Sequence, residues 1–81
     1  MLRKIRITGV VQGVGFRPFV YQIATRGNLD GWVANTSAGV EIEVDGEVAA
    51  LDEFTRALTG EHPPLARIDA IDMQDLPSNG R

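Results

Sequence analysis

The sequence predicts an α+β domain in which a small antiparallel sheet carries two helices on one face. Three observations carry that prediction. Four segments show strand patterning and two show helical patterning, and they alternate in the order β-α-β-β-α-β. The second and third strand segments are separated only by Thr36-Ser37-Ala38-Gly39, which has the length and composition of a hairpin turn. With 81 residues the chain forms one domain, of a size that buries only about 60 to 65% of its unfolded surface.

The elements follow from residue spacing. Between Arg3 and Thr8, Ile5 and Ile7 fall on one face and Lys4 and Arg6 on the other, as in a half-buried strand. From Pro18 to Arg26, Phe19, Val20, Ile23 and Ala24 recur at helical spacing, with Pro18 expected at the first helical position and Gly27-Asn28 as the stop. Leu29 to Asn35 and Gly39 to Val44 read as strands, the latter alternating Val40, Ile42 and Val44 with acids. Val48, Leu51, Phe54 and Leu58 then mark a second helix that ends at Thr59-Gly60. His62-Pro63-Pro64 forces an extended link.

Arg67 to Met73 is the fourth strand. Ile68, Ile71 and Met73 do not share one parity, so a bulge is expected near Asp69-Ala70, and Leu76 to Arg81 reads as a polar tail. Two right-handed crossovers split by a hairpin, with both helices on one sheet face, make the ferredoxin-like sandwich. Its first and third strands are central neighbours, which sets Lys4 and Arg6 against Glu41 and Glu43 on the open face.

The stretch from Gly9 to Phe19, GVVQGVGFRPF, lies between the first strand and the first helix. Glycine admits positive φ, so consecutive N–H groups can converge there, and the helix adds its own unpaired N–H groups and positive dipole end. Arg17 stands at this junction, where a guanidinium can hold a phosphate through two parallel bonds of about 1.5 to 3 kcal/mol each. Neither the Walker pattern nor the dinucleotide glycine spacing is present.

Composition narrows the field further. There is no cysteine, so neither a disulfide nor a thiolate zinc site can form. Apolar residues make up 43% of the chain without any run of membrane-spanning length, and a cytoplasmic protein without a membrane partner is the expectation. Residues 1–29 carry a charge of +5 and residues 30–81 a charge of −8, a balance that opposes a nucleic-acid partner yet favours a small anion near the glycine loop.

The run from Gly9 to Arg17, followed in order by Gly27, Leu29, Gly31-Trp32-Val33, Asn35 and Gly39, resembles the acylphosphatase family, with its VQGVxFR loop and later GWVxN segment. The resemblance implies hydrolysis of a carboxyl–phosphate anhydride. It implies catalytic roles for Arg17, on the phosphate, and Asn35, on the attacking water, and a phosphate-binding loop of Gln12, Gly13, Val14, Gly15, Phe16 and Arg17. No metal or other cofactor is then required. The segments Phe16 to Val20 and Pro63 to Asp69 are similar to the N-terminal acylphosphatase-like domain of the carbamoyltransferase that matures nickel-iron hydrogenases. That likeness implies carbamoyl phosphate as substrate, further domains of a parent chain as partners, and residues 1–81 as an excised module.

Other readings remain open from the sequence. A free-standing acylphosphatase and a non-catalytic phosphate-binding docking domain both fit the same motifs. An RNA-binding domain of this architecture would need aromatic residues on its central strands, which carry none here. His62 reads as a linker residue and Trp32 as a packing or sheet-face aromatic. Ala38 stands where the family often has Asp, and the family's short fifth strand has no clear counterpart in 76–81.

Overall fold

A computed structural model of the chain describes residues 1–77. Its elements are β1 (Leu2–Val10), α1 (Phe16–Arg26), β2 (Asp30–Asn35), β3 (Gly39–Asp45), α2 (Val48–Gly60) and β4 (Arg67–Leu76). The strands pair antiparallel in the order β2-β3-β1-β4, the ferredoxin-like arrangement. β1 and β3 are central, as the element order requires.

Period-two patterning decides which side of the sheet is covered. Ile5 and Ile7 of β1 and Val40, Ile42 and Val44 of β3 are buried, and they meet Val20 and Ile23 of α1 and Leu51, Phe54 and Leu58 of α2 in one core. On the opposite face Lys4 lies across from Glu43 and Arg6 across from Glu41, with 3.8 Å between Arg6 Nη2 and Glu41 Oε2. Exposed pairs of this kind contribute about 0.2 to 1 kcal/mol. Trp32 stands opposite Glu43 and is about half exposed, a sheet-face aromatic.

The bulge falls where the broken parity places it. Thr8 pairs with Ala70 and Gly9 with Ile68, so Asp69 is the extra residue, and Ile68 and Ile71 both pack against the core. Gly9 therefore belongs to β1 and not to the turn after it. A Cβ at this position would lie 2.1 Å from the carbonyl oxygen of Arg67, so only glycine allows the two strands to close here.

Several boundaries differ from the sequence reading. Helix α1 begins at Phe16, which puts Pro18 at its third position and not its first; the early helical N–H groups have no partner inside the helix, so proline fits at either place. The stop at Gly27-Asn28 holds, but the left-handed residue is Asn28, with φ 56°. Leu29 precedes β2, and Val48 is half exposed on the outer side of α2. β4 runs on to Leu76, because pairing with β1 continues as far as Leu2 and outweighs the weak strand character of its end. The expected tail thus starts later, and residues 78–81 lie outside the described residues.

Candidate active site

β1 ends at Val10, the chain turns through residues 11–15, and α1 leaves from Phe16. Two side chains fasten this turn from below: Val11 and Phe16 are each 1% exposed. Phe16 was expected as a loop residue. It joins Val20 and Ile23 on the buried stripe of α1, so its side chain anchors the loop while its N–H remains at the helix start.

Between these anchors Gly13 and Gly15 take φ of 73° and 80°. A Cβ at either would meet nothing within 4 Å, so it is backbone conformation and not space that calls for glycine there. No N–H from Gln12 to Arg17 donates in the backbone hydrogen bonds that close the turns and loops of the described residues. A row of free N–H groups at the positive end of a helix is an anion cradle in the making.

A cleft of about 250 Å³ opens over this row, lined by Val11, Gln12, Gly13, Gly15, Phe16, Arg17, Pro18 and Asn35. Arg17 and Asn35, 18 positions apart in the chain, share it. Arg17 is exposed, is the one charged residue of the lining, and has no ion pair among the described residues. No carboxylate or histidine lines the cleft. Val14 is half buried and packs on the core instead of lining the cleft, so only its N–H faces the task that sequence gave it.

The hairpin places Asn35. It pairs with Val40 as the last residue of β2, and the turn beyond it is closed by Thr36, whose N–H donates to the Gly39 carbonyl at 2.9 Å and whose Oγ1 accepts from the N–H groups of Ala38 and Gly39 at 3.3 and 3.0 Å. Thr36 thus supplies the turn chemistry, and Ala38 needs no acidic side chain. The Gln12 side chain crosses to this hairpin, with Nε2 donating to the carbonyls of Thr36 at 2.6 Å and Gly39 at 2.9 Å. Sequence reasoning missed that bond, since the acceptors are backbone groups 24 and 27 residues away.

Two larger hollows have different chemistry. One, of about 440 Å³, adjoins Arg3, whose guanidinium is already held by Asp52 and Asp75. The other, of about 330 Å³, lies on the open sheet face among charges of both signs. His62 does not line the loop cleft; its Nδ1 lies 3.0 Å from the Pro63 carbonyl in the α2–β4 link. Among the described residues no group of three His, Cys, Asp or Glu side chains is placed to hold a metal ion.

The acylphosphatase family model matches residues 3–81. The chain belongs to the acylphosphatase family. Among its relatives, Carbamoyltransferase HypF2 of Cupriavidus necator is 57% identical over 68 residues, covering 84% of this chain and 8% of that protein. The acylphosphatase of Alcanivorax borkumensis is 43% identical over 70 residues, covering 85% of this chain and 75% of that one. In structure the domain is similar to full-length HypF in its phosphate- and nucleotide-bound form, with a TM-score of 0.92 and 45% identity over 96% of this chain and 10% of that one. It is similar as well to the acylphosphatase from Bacillus subtilis, with a TM-score of 0.89 and 38% identity over 96% and 88%. This acylphosphatase domain therefore spans about a tenth of the length of the carbamoyltransferases it matches.

Proposed function

We propose that the loop cleft hydrolyses acyl phosphates without a metal ion, and that the substrate is carbamoyl phosphate, cleaved to carbamate and phosphate. The observation that carries this reading is the meeting of Arg17, Asn35 and a row of unpaired N–H groups in one cleft that contains no acid or imidazole. Phosphoryl transfer demands placement and charge stabilisation more than covalent chemistry, and these groups supply both. The carbamoyltransferase relatives support the choice of acyl group and a place as the first module of a larger transferase, whose other domains would be its partners.

In this mechanism the phosphoryl oxygens rest on the N–H groups from Gln12 to Arg17 and on the Arg17 guanidinium. Asn35 orients a water, its amide able both to donate and to accept. The water oxygen bonds to phosphorus as the bond from phosphorus to the acyl oxygen breaks, and the carboxylate or carbamate leaves with that electron pair. With no base in the lining, the water's proton passes to a phosphoryl oxygen. In-line attack on a held phosphoryl group gains from orientation alone, by about 7 to 11 kcal/mol at most.

Phosphate release from carbamoyl phosphate and from an aromatic acyl phosphate, each with and without chelator, tests the reading. Turnover of both with preference for carbamoyl phosphate, unchanged by chelator, is expected. Phosphate binding with no turnover would make this a docking domain, and turnover lost to chelator and restored by a divalent ion would overturn the metal-free mechanism.

A further inference from the structure

We infer that Gln12 is a positioning residue which sets the distance between the phosphoryl cradle and the water-orienting Asn35. The inference rests on the acyl phosphate reading above, and it assigns to Gln12 a task separate from its loop N–H. The two halves of the cleft come from different parts of the fold: the cradle belongs to the β1–α1 turn and Asn35 to the end of β2. Among the described residues, the Gln12 side-chain amide makes the only side-chain hydrogen bonds that cross from residues 11–17 to the hairpin.

Its geometry is selective. Both acceptors are carbonyl oxygens, at 2.6 and 2.9 Å from the same Nε2, so both N–H bonds of the amide are used and a group at this position must donate twice. The two carbonyls belong to Thr36 and Gly39, the ends of the turn that Thr36 N–H also closes, and Thr36 follows Asn35 directly. Asn35 is thereby fixed from the cradle side as well as by its pairing with Val40. The cradle itself does not depend on the amide: Val11 and Phe16 hold the loop in the core, and Gly13 and Gly15 set its backbone.

Loss of the amide should therefore separate catalysis from binding. For Gln12→Ala, kcat should fall by something on the order of 10²-fold, the size of effect a roughly 1 Å misplacement produces, while inorganic phosphate binds as in the wild type. Gln12→Glu keeps the length but, when ionised, sets a carboxylate against two carbonyl oxygens. It should be at least as slow as Gln12→Ala at neutral pH and regain kcat as pH falls and the protonated carboxyl donates one bond. A residue that merely stabilised the loop would give neither the split nor that pH profile.

The experiment is steady-state hydrolysis of carbamoyl phosphate and of an aromatic acyl phosphate by wild type and both variants across pH 4 to 8, with a phosphate titration and a thermal melt of each. Normal phosphate affinity, reduced kcat and recovery of Gln12→Glu in acid support the role. If the wild type turns over and Gln12→Ala keeps its kcat, or loses phosphate affinity in step with kcat, the role is overturned while the acyl phosphate reading stands. If the wild type fails to hydrolyse either substrate, both fall together.

Discussion

Arg3 grips Asp75 through two parallel hydrogen bonds, Nε to Oδ1 at 2.7 Å and Nη2 to Oδ2 at 3.0 Å, and so ties the start of β1 to the end of β4. The same guanidinium donates to Thr55 Oγ1 at 2.9 Å and Asp52 Oδ1 at 3.2 Å on α2. Arg3 shares the parity of Ile5 and Ile7 and is only 7% exposed, yet each of its three guanidinium nitrogens donates to an acceptor on α2 or β4. It clamps the end of the sheet opposite the loop cleft.

This clamp carries a pH dependence. The Arg3 hydrogen bonds hold the Asp75 carboxyl below its ordinary value. A lowered carboxylate pKa contributes stability that is complete above the unfolded value, about 3.9, and is lost as pH falls through the folded value. Asp75→Asn should therefore be less stable than wild type near neutral pH, by about 1 kcal/mol given the exposure of the carboxylate, with the difference vanishing in acid. Denaturant melts of both proteins between pH 2 and 7 measure it; a constant difference over that range would show that charge is not the source.

Phe54 is 2% exposed at the centre of the contact between α2 and the sheet. Truncation leaves a cavity that a domain of this size cannot refill, so Phe54→Ala should destabilise by about 3 to 5 kcal/mol. An equilibrium denaturant curve with a loss of less than about 1 kcal/mol, typical of surface sites, would contradict its central place.

Arg17 and Asn35 should separate on mutation. Arg17→Ala is expected to weaken phosphate affinity and turnover together, because the guanidinium holds the phosphoryl group in ground and transition states alike. Arg17→Lys should not restore them, since a point charge cannot reproduce the planar two-bond grip. Asn35→Ala should leave phosphate affinity nearly intact and lower kcat by something on the order of 10² to 10³. Wild-type turnover from Asn35→Ala, or undiminished phosphate binding by Arg17→Ala, would remove that residue from the mechanism.

Gly15→Ala isolates the backbone contribution. The new Cβ meets no neighbour, but the residue must hold φ near 80° just before α1, at a cost of about 1 to 2 kcal/mol for an L side chain. A change that relieves this strain by turning the loop N–H groups away should weaken phosphate binding, and an isothermal titration with inorganic phosphate would detect it. Equal affinity in both proteins would mean that the loop keeps its shape without glycine.

Much of this protein is set by local pattern alone. The alternation of Ile5 with Ile7 and of Val40 with Ile42 and Val44 fixed which sheet face is buried, because successive strand residues point to opposite sides. The uneven parity of Ile68, Ile71 and Met73 placed a bulge near Asp69-Ala70, and the paired motifs around Arg17 and Asn35 named the family and the candidate site. What local pattern could not supply are relations between distant segments. Phe16 as a core anchor, Arg3 as a buried clamp and Gln12 as a bridge to Thr36 and Gly39 each depend on partners that approach only when β1 lies between β3 and β4. A side chain's hydrogen bonds to backbone carbonyls leave no mark on the identity of the residues that own those carbonyls, so the sequence names Gln12 while only the tertiary structure shows what it holds.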